Sequence, residues 1–288
     1  MAQTPTVIGI SSEMTNFTQQ AKSMGQRVGF VPTMGALHEG HISLVKEARE
    51  NCDLVVVSIF VNPTQFNDPK DFERYPRTVD NDLALLAANG CDVVFIPETV
   101  SEVYPSGYQS FTLPLGNLEN VMEGKHRPGH FNGVINVVSR LFEIVEPDDA
   151  YFGLKDYQQY LVVNQLIVQK KYPIQLHGRP TSRTGSGLAR SSRNTLLSEE
   201  ERTLAAEIYR ILSLTRDQLN ILSVEELEEK ALAEFREHPE FEVEYFEIAD
   251  GDTLESLNGK GSPGKNPMAF VALRLGKVRL IDNMFLKN

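Results

Sequence analysis

The sequence predicts an α/β protein: a Rossmann-like doubly wound parallel sheet with a smaller C-terminal α+β domain that carries an antiparallel sheet. Three observations lead there. From Gln26 to about His177 short apolar runs alternate with longer amphipathic ones, the pattern of successive β-α-β units. Leu54–Val61 is an apolar, β-branched run, as a strand covered on both faces of a parallel sheet must be. After Gly178 the texture changes to a polar loop, capped helices and alternating strands, so the chain divides into domains of residues 1–177 and 178–288.

In chain order, Val28–Val31 reads as a strand ending at Pro32, and a glycine turn leads into a helix over Ile42–Glu50. The strand Leu54–Val61 follows. Val79–Asn89 has helical spacing through Leu83, Leu86 and Ala87 and stops at Gly90, and Cys91–Ile96 is the next strand. Asn132–Val145 is a helix with Ile135, Val138, Leu141, Phe142 and Val145 on one side. A short strand near Ala150–Phe152, a helix over Asp156–Lys171 and a strand near Ile174–Leu176 complete the first domain. Arg179–Asn194 is basic and irregular, suited to a mobile loop. Ser198–Glu201 is a capping box opening a helix that aligns Leu204, Ile208, Ile211 and Leu212, and Ser223–Glu226 opens a second. Strands over Phe241–Ile248, Phe270–Leu275 and Val278–Asp282 form a meander, with Gly259–Pro267 as a loop between strands.

Composition excludes several functions. The 288 residues are 41% hydrophobic and 23% charged, with a net charge of −11, which opposes a general nucleic-acid or anionic-membrane surface. A phosphate site must therefore be local. No apolar run reaches the ~20 residues of a membrane helix, and Met1–Gly9 lack the basic and apolar segments of an export leader. The two cysteines, Cys52 and Cys91, each precede an apolar run and read as reduced small residues of a cytoplasmic protein.

Ligands of a doubly wound sheet sit past the carboxyl ends of its strands, and His38, Asn62 and Lys155 lie just there. Val31–His41 joins a strand to a helix N-terminus, where unpaired N–H groups favour anions, and it carries two histidines three residues apart. As a metal motif the spacing is one residue short of His-Glu-x-x-His and is interrupted by Gly40; histidines serving only as helix caps are the other reading. Asn62 and Gln65 have carboxamides able to read hydroxyl and carboxylate oxygens, although Asn62-Pro63 is also a plain turn signal. Gly153, Lys155 and Asp156 combine close backbone approach, a point charge and an acceptor, and Asp156 with Gln159 is equally a capping box. Arg183, Arg190 and Arg193 with Ser191 and Ser192 concentrate anion-binding groups in one segment. The segment Lys125–Phe131 invites the same reading, or a metal pair of His126 and His130.

Together these motifs resemble the pantothenate synthetases, pantoate–β-alanine ligases of the HIGH-type nucleotidyltransferase superfamily. The matching pieces are Pro-Thr-Met-Gly-Ala-Leu-His-Glu-Gly-His (32–41), Phe-Val-Asn-Pro-Thr-Gln-Phe (60–66), Tyr-Pro-Arg-Thr (75–78), Arg-Pro-Gly-His-Phe (127–131), Phe-Gly-Leu-Lys-Asp-Tyr-Gln-Gln (152–159) and Ser-Ser-Arg-Asn (191–194). The resemblance implies condensation of pantoate with β-alanine by ATP and Mg²⁺ through a pantoyl adenylate, in a cytoplasmic homodimer that binds neither nucleic acid nor membrane. It implies His41, His38, Lys155 and Arg193 as catalytic residues. ATP would meet Met34, Gly35, Gly40, His41, Gly153, Leu154, Lys155, Asp156, Ser182, Arg190, Ser191, Ser192 and Arg193. Pantoate would meet Gln65, Gln159, Met34 and Asn62, and β-alanine Gln65 and His130. Asp80 and Asp82 are the candidates for the metal.

Two stretches depart from the family pattern. Leu154 stands where the family usually has glutamate, and Thr184, Ser186 and Arg190 stand where it usually has glutamate, aspartate and a methionine or leucine. Loss of two acids implies a looser closing loop. The alternatives are another adenylyltransferase of the superfamily, or a nucleotide-binding protein with impaired turnover.

Overall fold

Strands rich in branched residues organise the first of two compact units. A computed structural model describes residues 4–259, 264 and 266–287. One unit comprises Met1–Leu115, Glu123–Leu154 and Gln158–Pro180, the other Gly116–Met122, Lys155–Tyr157 and Thr181–Asn288. In the first, β1 (Thr6–Ile8), β2 (Val28–Thr33), β3 (Leu54–Ile59), β4 (Val93–Phe95), β5 (Asp149–Gly153) and β6 (Gln175–Arg179) form one sheet in the order β1-β4-β3-β2-β5-β6. Every neighbouring pair is parallel.

The helices are α1 (Ser11–Ser23), α2 (Glu39–Asn51), α3 (Pro69–Arg74), α4 (Val79–Ala88), α5 (Val100–Val103), α6 (Met122–His126), α7 (His130–Val145) and α8 (Tyr157–Lys170). On one face, Val31, Val55, Val57 and Val94 pack against Ile42, Val45 and Ala48 of α2 and Leu86 of α4. On the other, Phe30 meets Phe142 of α7 edge-on, with ring centroids 6.4 Å apart. The chain steps outward from β2 through β3 to β4, then returns to β5 on the other side of β2. That reversal opens a crevice past the carboxyl ends of β2 and β5.

Sequence periodicity misses β1 and α1 for physical reasons. Thr6–Ile8 has three residues with a burial pattern of two exposed and one buried. In α1 the buried positions are Met14, Thr18 and Ala21, and the Thr18 hydroxyl is accommodated by donating to the Met14 carbonyl at 3.2 Å. A polar residue thus sits where a hydrophobic stripe would be read. Strand β6 runs to Arg179, beyond the expected Leu176, because Gly178 pairs in register with Phe152 and leaves room for Leu154 and Tyr160. Cys52 and Cys91 are free and buried, and desolvation pushes the Cys91 thiol up to about 12, so it stays protonated and unreactive.

In the second unit α9 (Glu199–Ala205), α10 (Glu207–Asp217) and α11 (Val224–Arg236) cover an antiparallel sheet of β7 (Phe241–Asp250), β8 (Pro267–Leu275) and β9 (Val278–Phe285). Ser198 and Ser223 close the expected capping boxes. The first helix breaks at Ala206, while Ile208, Ile211 and Leu212 still join Leu227, Phe235, Ile248 and Val271 in one core. Of the expected Gly259–Pro267 loop, residues 260–263 and 265 lie outside the described residues. No helix among those described is long and apolar enough to cross a membrane.

Candidate active site

The turn that leaves β2 is held from below. Thr33 Oγ1 donates to the Ser58 carbonyl at 2.7 Å and accepts the Gly35 N–H at 3.2 Å. Gly35 and Ala36 then take φ of 81° and 49°, a left-handed pair that exposes two consecutive N–H groups. Both groups find Asp82: the Ala36 N–H donates to Oδ2 at 2.9 Å and the Leu37 N–H to Oδ1 at 2.8 Å. The Thr78 hydroxyl adds a third donor at 3.1 Å. Asp82, one of the two acids expected for the metal, is 1% exposed and holds the turn through both of its oxygens. Asp80 is exposed on the same helix, and no cluster of three or more His, Cys, Asp or Glu forms among the described residues.

His38 caps α2, with Nδ1 accepting the Gly40 N–H at 3.1 Å. The His38 N–H in turn donates to His41 Nδ1 at 3.3 Å, and the rings lie 4.1 Å apart between centroids. An Nδ1 that accepts carries no proton, so each neutral imidazole bears its proton on Nε2. The reciprocal cap also explains why α2 begins at Glu39 and not at Ile42. The helix-terminal amides expected to cradle an anion are partly occupied, since the His41 N–H also bonds the His38 carbonyl at 2.8 Å. What the turn offers instead is a pair of imidazoles fixed in the donor tautomer at Nε2.

Past β3, Asn62 caps a 3-10 turn over Pro63–Gln65. The Asn62 side chain is fully committed. Its Oδ1 accepts from the Tyr104 hydroxyl and Thr64 Oγ1, each at 3.0 Å, and from the Thr64 N–H at 3.3 Å. Its Nδ2 donates to Gln65 Oε1 at 3.1 Å and the Gly133 carbonyl at 3.3 Å. At 1% exposure this residue, expected to meet pantoate, directs these bonds to Gln65, Thr64, Tyr104 and Gly133. Gln65 Nε2 lies 3.1 Å from Met34 Sδ. His130, expected beside β-alanine, instead places Nδ1 2.8 Å from the Gln65 carbonyl and Nε2 3.1 Å from Arg127. Both nitrogens serve the protein, and the residue anchors the turn that bears Gln65.

Tyr104 and Gly133 are the supports that motif reading misses, although a glycine inside a predicted helix is a packing signal. A Cβ built on Gly133 would lie 2.5 Å from the Thr64 carbonyl oxygen and 2.7 Å from Gln65 Cα. Helix α7 can approach the turn this closely only at glycine. Gly133→Ala is expected to cost about 1–3 kcal/mol through overpacking and to cut kcat/KM by displacing Gln65. Denaturant unfolding with steady-state kinetics checks this, and a variant matching the wild type in both would leave Gly133 with no part in shaping the site.

Gln159 is half-buried in the first turn of α8, and Gly153 closes β5 with open space over its Cα. Leu154 packs against Gly178 within the same unit. In the second unit, the Lys155 carbonyl accepts from Asn283 Nδ2 at 2.8 Å, and Lys155 Nζ lies 3.8 Å from Asp156. The basic segment has no helix or strand over residues 180–191, as expected, yet it is anchored. Arg183 forks onto both oxygens of Asp282 at 2.6 and 2.9 Å and lies over the Tyr209 ring. Burial pushes the Asp282 carboxyl up, and the Arg183 guanidinium opposes that shift. Arg183 also bridges to Ala189, while the Arg190 N–H donates to the Ser182 carbonyl at 2.9 Å. At the missing acids, the Thr184 and Ser186 hydroxyls lie 2.8 Å apart. The segment's ion pair at Arg183 comes from Asp282, outside the stretch that carries the departures. Ser191 Oγ accepts the Arg193 N–H at 3.3 Å, Ser192 is buried, and Arg190 Nε is buried without a hydrogen-bond partner.

Residues 6–285 match the family model described as pantoate-beta-alanine ligase. A pantothenate synthetase of Porphyromonas gingivalis is 45% identical over 95% of this chain and 96% of its own, and one of Aquifex aeolicus is 44% identical over 94% and 95%. The crystal structure of pantothenate synthetase from Thermus thermophilus superposes with a TM-score of 0.91 at 40% identity, over 98% of this chain and 100% of that one. Pantoate-beta-alanine ligase from Francisella tularensis, complexed with beta-gamma ATP and beta-alanine, gives a TM-score of 0.81 at 37% identity, over 99% and 98%.

Proposed function

The chain belongs to the pantoate–β-alanine ligase family, and from that premise we propose how its residues divide the work of joining pantoate to β-alanine with ATP. The enzyme is an amide-bond-forming ligase that uses ATP as a substrate. The observation that carries the assignment of residues is the pair of imidazoles, proton on Nε2, at the carboxyl end of β2 beside the Met34–Gln65 contact.

In the first half-reaction a pantoate carboxylate oxygen attacks the α-phosphorus of ATP, and the bond to pyrophosphate breaks. The carboxylate is already ionised at neutral pH, so the step needs alignment and neutralisation of charge, not a general base. His38 and His41 supply Nε2–H donors that strengthen as charge develops, and Lys155 and Arg193 supply fixed positive charge. Met34, Gln65 and Gln159 hold pantoate. For the nucleotide we assign Gly35, Gly40, Gly153 and Leu154 in the first unit and Asp156, Ser182, Arg190, Ser191 and Ser192 in the second. In the second half-reaction the neutral β-alanine amine, placed with Gln65, attacks the acyl carbon. The carbon–oxygen bond to AMP breaks and the nitrogen releases a proton.

Asp80, exposed on α4, is the carboxylate that would hold Mg²⁺, which would offset negative charge on the ATP phosphates. The working form is a cytoplasmic homodimer. The test is direct: purified protein given ATP, Mg²⁺, pantoate and β-alanine should release pantothenate and AMP in equal amounts, and chelating the metal should stop both. Folded protein that yields no pantothenate overturns the proposal.

A further inference from the structure

We infer that Tyr104 is a positioning residue of this enzyme: its hydroxyl, acting through Asn62, locks the Gln65 side chain with Oε1 turned into the protein and Nε2 presented as a donor to pantoate. The inference rests on Gln65 being a pantoate ligand, and it adds a residue and a polarity to that assignment.

The orientation follows from groups whose roles admit no choice. A backbone N–H, that of Thr64, faces one end of the Asn62 amide at 3.3 Å, so that end is the oxygen. A backbone carbonyl, that of Gly133, faces the other at 3.3 Å, so that end is the nitrogen. These bonds set the sign, yet both are long. The tighter contacts to Oδ1 come from the hydroxyls of Thr64 and Tyr104, each at 3.0 Å, and Tyr104 is the one that reaches in from another element, the C-terminal end of α5. Burial pushes the Tyr104 phenol up to about 12, so the hydroxyl keeps its proton across the working range.

Consequences pass to Gln65. With Asn62 Nδ2 aimed at it, Gln65 must offer Oε1 inward. Its Nε2 faces Met34 Sδ, a weak acceptor that a substrate oxygen readily replaces. A glutamine held this way recognises acceptors: a carboxylate or a hydroxyl lone pair. Free to rotate, it would accept and donate with equal ease and lose that selectivity. Tyr104 is suited to a clean test because its ring is separately packed, 6.4 Å from Phe60 and 5.2 Å from Tyr108 between centroids, so the hydroxyl can be removed without emptying the space.

The experiment measures KM for pantoate and for ATP, together with denaturant unfolding, in wild type, Tyr104→Phe and Asn62→Asp. Tyr104→Phe should raise KM for pantoate about fivefold while leaving KM for ATP within about twofold, since one supporting hydrogen bond is lost and the nucleotide is untouched. Asn62→Asp keeps the shape and replaces the donor to Gln65 by an acceptor, and should lower kcat/KM for pantoate about a hundredfold. Active wild type with Tyr104→Phe shifting both KM values equally, or neither, overturns the inference alone. Wild type without pantoate-dependent turnover overturns the functional reading, and the inference with it.

Discussion

His41→Ala is expected to lower kcat by about 10²–10³, the usual effect of deleting one preorganised donor aimed at developing charge. Folding stability should fall by about 1 kcal/mol, the cost of one lost capping acceptor, since the Nδ1 of this ring receives the His38 N–H. The two ring nitrogens can be tested apart. Glutamine places an N–H near the position of Nε2 but cannot supply the Nδ1 acceptor; asparagine does the reverse. The expected order of turnover is wild type, then His41→Gln, then His41→Asn and His41→Ala together, with stability favouring asparagine over glutamine. Wild-type kcat in the alanine variant, with pantothenate formation measured at saturating substrates, would return His41 to a purely structural role.

The second large effect is expected at Asp82. Removing its carboxylate takes away the acceptor that the buried Ala36 and Leu37 N–H groups share, at about 1–3 kcal/mol each, so Asp82→Ala should lose roughly 3–5 kcal/mol once the Thr78 contact is included. Catalysis should suffer with it, since the turn that presents His38 and His41 is no longer held. Asp82→Asn, which retains an acceptor but aims an N–H₂ at a backbone donor, should fall between the two. Denaturant unfolding reads the stability term. If the alanine variant unfolds within about 1 kcal/mol of wild type, the carboxylate is not what fixes the turn.

The strands and the longer helices from β2 to β6 were legible because a parallel sheet demands apolar strands and one-sided helices, while the short α3, α5 and α6 were not. Strand order was not, since nothing in the spacing of Val56 or Val94 says which strand lies beside which. At the site, residue type identified side chains rich in donors and acceptors but not their partners. Asn62 and His130 looked like substrate ligands, and the bonds both make to Gln65 were not legible. Asp82 looked like a metal ligand, and its bonds to the Ala36 and Leu37 N–H groups were not legible. In each case the deciding partner is a backbone group or a distant residue, such as the Gly133 carbonyl or Tyr104, brought near only by folding. The loss of acids at Thr184 and Ser186 suggested a loose segment, and the fork from Arg183 to Asp282 shows why one stretch of sequence cannot reveal an anchor supplied 99 residues later.

The left-handed turn at Gly35 and Ala36 also bears on how tightly a substrate can be held. Fixing a free backbone residue costs about 1–2 kcal/mol of conformational entropy, so a floppy Gly35–Leu37 segment would withdraw roughly 3–6 kcal/mol from every binding event that had to order it. Because the buried carboxylate of Asp82 meets that cost while the chain folds, the interaction energy of an arriving nucleotide is left for alignment of the reacting atoms.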